Sequence, residues 1–220
     1  MCGIVSYLGH QNAKEILIKG LKRLEYRGYD SAGIAIIDDN NNIKLYKQQG
    51  KVSDLEKFIS DKDTTGTIGI AHTRWATHGE PNDINAHPHL SNNSKLAIIH
   101  NGIIENYSSL KKELINRGYT FHSETDTEVI INLIEDIQKN EKVDILEVIR
   151  LTLTQIIGAY AIVVMYAENP DTIIVARKSS PLVIGIGNNE YFVASDATPI
   201  VEYTQNVIYL NDEEIAVISK

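Results

Sequence analysis

Cysteine, basic charge and long apolar runs are all scarce in this sequence of 220 residues. One cysteine cannot form a disulfide within the chain, and this composition fits a reducing, cytoplasmic compartment. Lys and Arg number 21 against 29 Asp and Glu, and the net charge of -8 argues against nucleic acid or an anionic membrane as the main partner. The apolar run 158–166 is too short to span a bilayer. No basic segment precedes residues 2–9, so we expect no signal peptide.

Along the chain, the remaining pattern predicts strands before and after a central block of helices. Helical periodicity covers residues 13–24, about 53–60, 107–117, 126–139 and 144–157. Strands are predicted at 3–8, 32–38, 43–48, 67–73, 95–101, 159–167, 172–177, 181–187, 190–195, 206–211 and 214–219. Because short turns rather than helical crossovers link most strands, we predict an α+β fold with mainly antiparallel sheets and helices outside them. We predict a single domain over residues 1–220.

Local signals between the central strands and helices give three further predictions. Residues 74–94 lack periodicity and are predicted to form a long ordered loop, a kind of segment that usually carries function. Asn106 is predicted to cap the first long helix after this loop, and Gly118 to end it. Thr125 followed by Glu128 predicts a capping box at the start of the next helix.

The position of the single cysteine favours a nucleophile over a small buried hydrophobic residue. Initiator methionine is readily removed when the next side chain is small, and removal of Met1 leaves Cys2 with a free α-amine beside its thiol. Such an amine has a pKa of about 7.7–8.0, so part of it is an unprotonated base near neutral pH. It can accept the thiol proton, directly or through a water molecule, without a separate histidine.

Six motifs along the chain carry a resemblance to a known family. They are CGIV (2–5), LEYRGYDSAG (24–33), HTRWATHGEP (72–81), NAHPH (85–89), HNGIIEN (100–106) and SETDTE (123–128). Together and in this order they resemble the class II glutamine amidotransferases, and within them the N-terminal half of the glutamine–fructose-6-phosphate aminotransferases. The resemblance covers nearly the whole chain. It implies the N-terminal-nucleophile hydrolase fold, a four-layer αββα sandwich.

The resemblance also implies a reaction and partners. L-Glutamine would form a γ-glutamyl thioester on Cys2, release ammonia and leave as glutamate. In the complete family enzyme, a homodimer, ammonia passes to a C-terminal sugar-isomerase domain. There it converts fructose 6-phosphate to glucosamine 6-phosphate, the first step of hexosamine biosynthesis. Nothing in residues 1–220 matches that domain, so synthase activity is not expected of this chain alone.

The sequence predicts no cofactor and no metal ion. The glycines do not form a GxxxxGK[ST] phosphate-binding loop. Four histidines, at positions 72, 78, 87 and 89, invite a zinc interpretation, but neither HExxH nor a paired cysteine motif accompanies them.

Asn101 and Gly102 are the predicted oxyanion hole. Attack on the glutamine amide places negative charge on the carbonyl oxygen, and losing one donor to such a charge typically costs about 10²–10³ in rate. At the end of a predicted strand, Asn101 can supply a side-chain amide and Gly102 an unhindered backbone N–H. An ordinary Asn-Gly turn is the alternative interpretation.

The resemblance assigns the rest of the glutamine pocket residue by residue. Arg74 matches the guanidinium that binds the α-carboxylate, for which a planar fork of donors is well suited. Asp126 matches the acid that holds the α-ammonium group, although an acidic residue in the first turn of a helix also favours the helix dipole. Thr77 and His78 match residues that line the pocket.

Three more residues are predicted to lie near the nucleophile. Trp75 resembles the indole that gates the passage of ammonia, with a core or lid aromatic as the alternative. Arg27 and Asp30 resemble supporting residues close to Cys2, or else form a simple ion pair. Two other functions remain open at this point: a module that senses glutamine without hydrolysing it, and a structural domain with a buried Cys2.

Overall fold

The computed structural model describes residues 2–75 and 79–220, which form two antiparallel sheets covered by helices. The strands are β1 (Gly3–Leu8), β2 (Ser31–Ile37), β3 (Ile43–Gln49), β4 (Ile68–Arg74), β5 (His89–Leu90), β6 (Leu96–Ile104), β7 (Gly158–Tyr166), β8 (Thr172–Lys178), β9 (Val183–Ile186), β10 (Tyr191–Ala194), β11 (Val207–Tyr209) and β12 (Glu214–Ser219). The helices are α1 (Ala13–Leu24), α2 (Val52–Phe58), α3 (Tyr107–Asn116), α4 (Asp126–Asn140) and α5 (Ile145–Gln155). A short 3₁₀ turn covers Glu25–Arg27.

The two sheets lie face to face between two layers of helices. One sheet has seven strands in the order β11-β9-β10-β1-β4-β2-β3, and the other has five in the order β12-β8-β7-β6-β5. An aliphatic core that includes Ile4, Ile70, Ile99 and Val163 fills the space between them. A second core joins α1 and α2 to the seven-stranded sheet, and a third joins α3, α4 and α5 to the five-stranded sheet. This is the predicted αββα sandwich.

Hydrophobic periodicity predicted most elements to within a few residues. Helix α1 occupies the predicted residues, with its apolar stripe buried against β1 and β4 and with Asn12 Oδ1 accepting a hydrogen bond from the Lys14 N–H at 3.0 Å. No helix among the described residues is both long and apolar enough to cross a membrane.

The predicted caps of α3 and α4 are wrong in part. Asn106 does not cap α3 with its side chain. It donates to the Gln155 carbonyl at 2.8 Å and accepts from the Ile157 N–H at 2.9 Å, so it satisfies backbone groups at the end of α5. In α4 the Thr125 hydroxyl accepts from the Glu128 N–H as predicted. The Glu128 carboxylate instead accepts from backbone N–H groups at residues 122 and 123, so the reciprocal half of the box is replaced.

Two strand predictions around the candidate site also need correction. The predicted loop 74–94 contains the short strand β5, which pairs with β6. Strand β6 does not end at Asn101 but continues to Ile104, because residues 102–104 go on pairing with the start of β7. Asn101 and Gly102 therefore lie inside a paired strand, and the Asn-Gly turn is excluded as an interpretation.

Candidate active site

A cavity of about 550 Å³ opens where the two sheets meet. Among the described residues, it is lined by seven of those predicted from the sequence: Cys2, Arg27, Arg74, Trp75, Asn101, Gly102 and Asp126. Thr77 and His78 lie outside the described residues. Arg74 ends β4 and Cys2 immediately precedes β1, both in the seven-stranded sheet, whereas Asn101 and Gly102 lie in β6 of the five-stranded sheet. The cavity is thus built from both sheets, with Asp126 added from the start of α4.

The backbone next to Cys2 is fixed by two buried hydroxyl groups. Thr73 Oγ1 accepts a hydrogen bond from the Gly3 N–H, and Ser195 Oγ accepts one from the Ile4 N–H, both at 3.1 Å. A Cβ atom at position 3 would lie 2.6 Å from Thr73 Oγ1, so only glycine fits there. These contacts hold the first residue of β1, and with it Cys2, against β4.

The Cys2 side chain is half-buried, and its thiol faces a backbone donor. Its Sγ accepts a hydrogen bond from the Trp75 N–H at 3.1 Å. Burial raises the pKa of the Cys2 thiol above its ordinary value, and the Trp75 N–H opposes that rise. Since the neutral thiol is favoured, a nearby base must remove its proton before it can attack.

Asn101 is hydrogen-bonded to the backbone of Cys2 and to a buried histidine. Its Nδ2 donates to the Cys2 carbonyl oxygen at 3.1 Å, and its Oδ1 lies 2.9 Å from His72 Nε2. Gly102 follows with a φ of 139°. A Cβ atom there would lie 2.0 Å from the Ala159 carbonyl oxygen, so the close approach of β6 and β7 requires glycine.

Arg74 and Asp126 are both buried and both anchored to backbone groups. The Arg74 guanidinium donates to the carbonyls of Gly79 and Glu80, each at 3.1 Å, which orients the fork at the end of β4. Asp126 Oδ2 accepts from the Ile104 N–H at 2.8 Å and so ties the start of α4 to the end of β6. A guanidinium and a carboxylate thus face one cavity, a pair that suits an amino acid with its α-carboxylate and α-ammonium groups.

Trp75 and Arg27 also line the cavity. The Trp75 side chain is 55% exposed, and its indole covers Gly28, where a Cβ atom would lie 2.0 Å from the ring. Arg27 forms an ion pair with Asp196 at 2.9 Å. Asp30 donates its backbone N–H to the Arg74 carbonyl at 2.7 Å, so it supports the strand that carries Arg74.

Several histidines that the sequence did not assign to the site lie in or behind its wall. His87 and His100 line the cavity with Thr127, whose Oγ1 lies 2.8 Å from His87 Nε2 and 2.9 Å from His100 Nδ1. Two of these three adjoin predicted site residues: His100 precedes Asn101, and Thr127 follows Asp126. That adjacency was the signal available in the sequence.

His72, His87 and His89 form a buried cluster that burial keeps neutral. Burial lowers the pKa of His72 to about 3 and holds the pKa values of His87 and His89 well below their ordinary range. The rings of His72 and His87 lie 4.4 Å apart between centroids, and those of His87 and His89 lie 4.7 Å apart. In the part of the chain that the structure describes, no group of three or more His, Cys, Asp or Glu side chains is arranged to hold a metal ion.

A second cavity of about 560 Å³ lies on the far side of the histidines. Lys47, His89 and Glu128 contribute to its wall, and burial lowers the pKa of Lys47 to about 8. No predicted site residue that the structure describes lines it, so the chemistry expected from the sequence belongs to the first cavity.

Similarity to known proteins agrees with this fold and site. Residues 44–219 match the family of the glutamine amidotransferase domain, and the chain belongs to that family. Its relatives include the glutamine–fructose-6-phosphate aminotransferases (isomerizing) of Bacteroides thetaiotaomicron, 62% identical over 220 residues, and Caldanaerobacter subterraneus, 55% identical over 220 residues. All of this chain is matched, but it spans only 36% of each relative.

Solved structures confirm the N-terminal-nucleophile hydrolase fold. An allosteric regulatory enzyme of purine biosynthesis superposes with a TM-score of 0.84 at 31% identity, covering 99% of this chain and 47% of the other. A glutamine phosphoribosylpyrophosphate amidotransferase from B. subtilis gives a TM-score of 0.79 at 29% identity, covering 99% of this chain and 49% of the other.

Proposed function

We propose that this chain hydrolyses L-glutamine to glutamate and ammonia through a thioester on Cys2. The observation that carries the proposal is the hydrogen bond by which the Asn101 amide of one sheet holds the backbone of Cys2, next to the other sheet, at one cavity. Asn101 Nδ2 lies 3.1 Å from the Cys2 carbonyl oxygen, which places an amide donor beside the residue that carries the thiol. That arrangement serves acyl transfer.

The substrate would be oriented by its amino-acid end. Arg74 would bind the α-carboxylate and Asp126 the α-ammonium group, and Thr77 and His78 are proposed to line the same pocket. The side chain of glutamine would then reach toward Cys2. The opposite charges of Arg74 and Asp126 on one cavity support this orientation.

Acylation begins when the α-amine exposed by removal of Met1 takes the thiol proton. The thiolate attacks the amide carbon, and the carbonyl oxygen gains a negative charge that Asn101 Nδ2 and the Gly102 N–H are proposed to stabilise. Collapse of this intermediate breaks the C–N bond. The leaving nitrogen takes the proton from the Cys2 ammonium and departs as ammonia, so the thioester forms with proton and charge balanced.

Deacylation repeats these steps with water. The Cys2 amine takes a proton from water while the oxygen attacks the thioester, and the same oxyanion donors act again. The thiolate leaves, regains its proton from the ammonium, and glutamate is released.

The larger context rests on the relatives. We propose that ammonia made here serves a C-terminal sugar-isomerase domain, where it converts fructose 6-phosphate to glucosamine 6-phosphate, and that the full-length enzyme is a homodimer. The gating role of Trp75, the single-domain organisation of residues 1–220 and a cytoplasmic location are part of this proposal. The names and lengths of the aligned relatives support the proposed C-terminal sugar-isomerase domain, and the single cysteine supports the cytoplasmic location.

Glutamate release by the purified chain tests the proposal. Mass spectrometry first establishes that Met1 is absent, and glutamate is then measured with and without the substitution Cys2→Ala. Loss of this nucleophile is expected to reduce turnover by about 10³-fold or more. Alanine is also small, so methionine removal is preserved in the control. Glutamine hydrolysis by Cys2→Ala at the wild-type rate would overturn the proposal, and binding without hydrolysis by the wild type would identify a sensor.

A further inference from the structure

Asn101 is held by two hydrogen bonds, one that it donates to Cys2 just before β1 and one that it accepts from His72 in β4. Its Nδ2 donates to the Cys2 carbonyl, and its Oδ1 faces His72 Nε2. The Cys2 carbonyl can only accept, so the nitrogen end of the carboxamide must face it. The oxygen end therefore faces His72, and the His72 Nε2 must carry the proton that it donates.

His72 is suited to keep that proton in place. It is fully buried, and burial lowers its pKa to about 3, so the ring is a neutral donor throughout the neutral pH range. Its ring lies against that of His87 with an interplanar angle of 30°. His87 is in turn fixed by Thr127 at 2.8 Å. The donor is thus held by packing and hydrogen bonds that do not involve the substrate.

We propose that His72 is a positioning residue, which fixes the plane of the Asn101 carboxamide so that Nδ2 is aimed at the oxyanion of glutamine hydrolysis. This inference rests on the proposed glutaminase function. The Nδ2 group has two hydrogens: one is used by the Cys2 carbonyl, and the other is available to the substrate oxygen. A donor on Oδ1 also polarises the amide, which strengthens its N–H groups.

Two polar substitutions of His72 test whether a hydrogen-bond donor is needed at the position of Nε2 or whether any polar side chain is enough. In His72→Gln the side-chain amide reaches the place of the imidazole Nε2, whereas in His72→Asn it reaches only the place of Nδ1. We expect His72→Asn to lower kcat about tenfold or more with KM changed less than about twofold, because the contact acts on the transition state. His72→Gln is expected to restore most of kcat. Equal loss in both variants would overturn the proposal.

A double-mutant cycle tests whether His72 acts through Asn101. Asn101→Ala is expected to lower kcat by about 10²–10³, the usual effect of removing one oxyanion donor. Adding His72→Leu to Asn101→Ala should then cost little more, because the group that His72 orients is already gone. Independent, multiplying effects would overturn the proposal. If the leucine variants fail to fold, His72→Asn takes their place in the cycle.

Alkylation of Cys2 by iodoacetamide distinguishes an oxyanion defect from a damaged nucleophile. In this reaction Sγ displaces iodide with loss of the thiol proton, and no oxyanion forms. We expect His72→Asn to be alkylated within about twofold of the wild-type rate, and an equal loss in alkylation and hydrolysis would overturn the proposal. His89→Gln is the matched control, since His89 is another buried histidine whose Nε2 lies 3.0 Å from a hydroxyl, that of Thr125. A wild type that alkylates but never hydrolyses glutamine would refute the proposed function itself.

Discussion

Acid should unfold this protein through the buried histidines behind the site. His72, His87 and His89 are neutral in the fold because burial lowers their pKa values, that of His72 to about 3. In the unfolded chain a histidine titrates at about 6.5. Below about pH 6.5 the unfolded state therefore binds more protons at these histidines than the folded state does. The stability that these histidines contribute is present above pH 6.5 and is lost as the pH falls from there toward the folded-state pKa values.

The loss of unfolding free energy can be calculated from the pKa of histidine in the unfolded chain and its neutrality in the fold. Between pH 7.5 and 5.5 one histidine that titrates at 6.5 when unfolded and stays neutral when folded lowers the free energy of unfolding by about 1.4 kcal/mol. With all three neutral down to pH 5.5, the combined loss reaches its upper limit of about 4 kcal/mol. This range avoids most carboxylate titration, since Asp and Glu in unfolded chains titrate near 4.

Urea unfolding at several pH values measures this slope. His89→Gln removes one of the three groups, and His89 does not line the first cavity. The loss between pH 7.5 and 5.5 should therefore shrink, by about 1.4 kcal/mol at most. His10 lies at the surface, and His10→Gln is the control for the substitution itself. A His89→Gln variant with the wild-type pH dependence would refute the conclusion that burial keeps this cluster neutral.

Three further predictions concern the site. Arg74→Lys should raise KM for glutamine about tenfold or more, because an ammonium cannot reproduce a two-pronged contact to the α-carboxylate, while analogues lacking that carboxylate should be little affected; unchanged kinetics with glutamine would make Arg74 structural. Gly3→Ala should lower kcat about tenfold or more, since its Cβ would meet Thr73 Oγ1 at 2.6 Å and displace Cys2, whereas Gly118→Ala, with no atom within 4 Å of the added Cβ, should affect stability only. The purified 220-residue chain should release ammonia in equal amount to glutamate, and fructose 6-phosphate should change neither the rate nor the product. Trp75→Ala should alter hydrolysis by less than about threefold. Glucosamine 6-phosphate made by this chain alone would contradict this prediction.

Local pattern was enough to predict β1 and α1, but it could not set the ends of elements that depend on distant partners. The helix 13–24 follows from its own apolar stripe, and the structure confirms it. Strand β6 runs past its predicted end because of pairing with β7, more than fifty residues away in the chain. Asn106 leaves its predicted cap for the same reason, since its partners lie at the end of α5.

The residues of the candidate site also differ in how far the sequence could reveal them. Cys2 could be singled out by position, and Arg74, Asn101, Gly102 and Asp126 by the motifs that contain them. The structure places these five around one cavity, and their individual roles stay predictions. His72 was considered only as a possible metal ligand, because nothing in its neighbourhood in the sequence shows that its partner is 29 residues away on another sheet.

Because the candidate site is divided between two sheets, hydrogen bonds between the sheets are needed to orient its side chains. Aliphatic packing between the sheets is non-directional, so it can bring β1 and β6 together but cannot fix the orientation of a carboxamide. Hydrogen bonds supply that direction. Asn101 donates to the Cys2 carbonyl and accepts from His72 Nε2, so two hydrogen bonds fix its carboxamide against His72 of the opposite sheet and Cys2 just before it. We therefore expect substitutions in the aliphatic core between the sheets to change the distance between Cys2 and Asn101. Substitutions at His72 are expected to change the orientation of the Asn101 carboxamide instead.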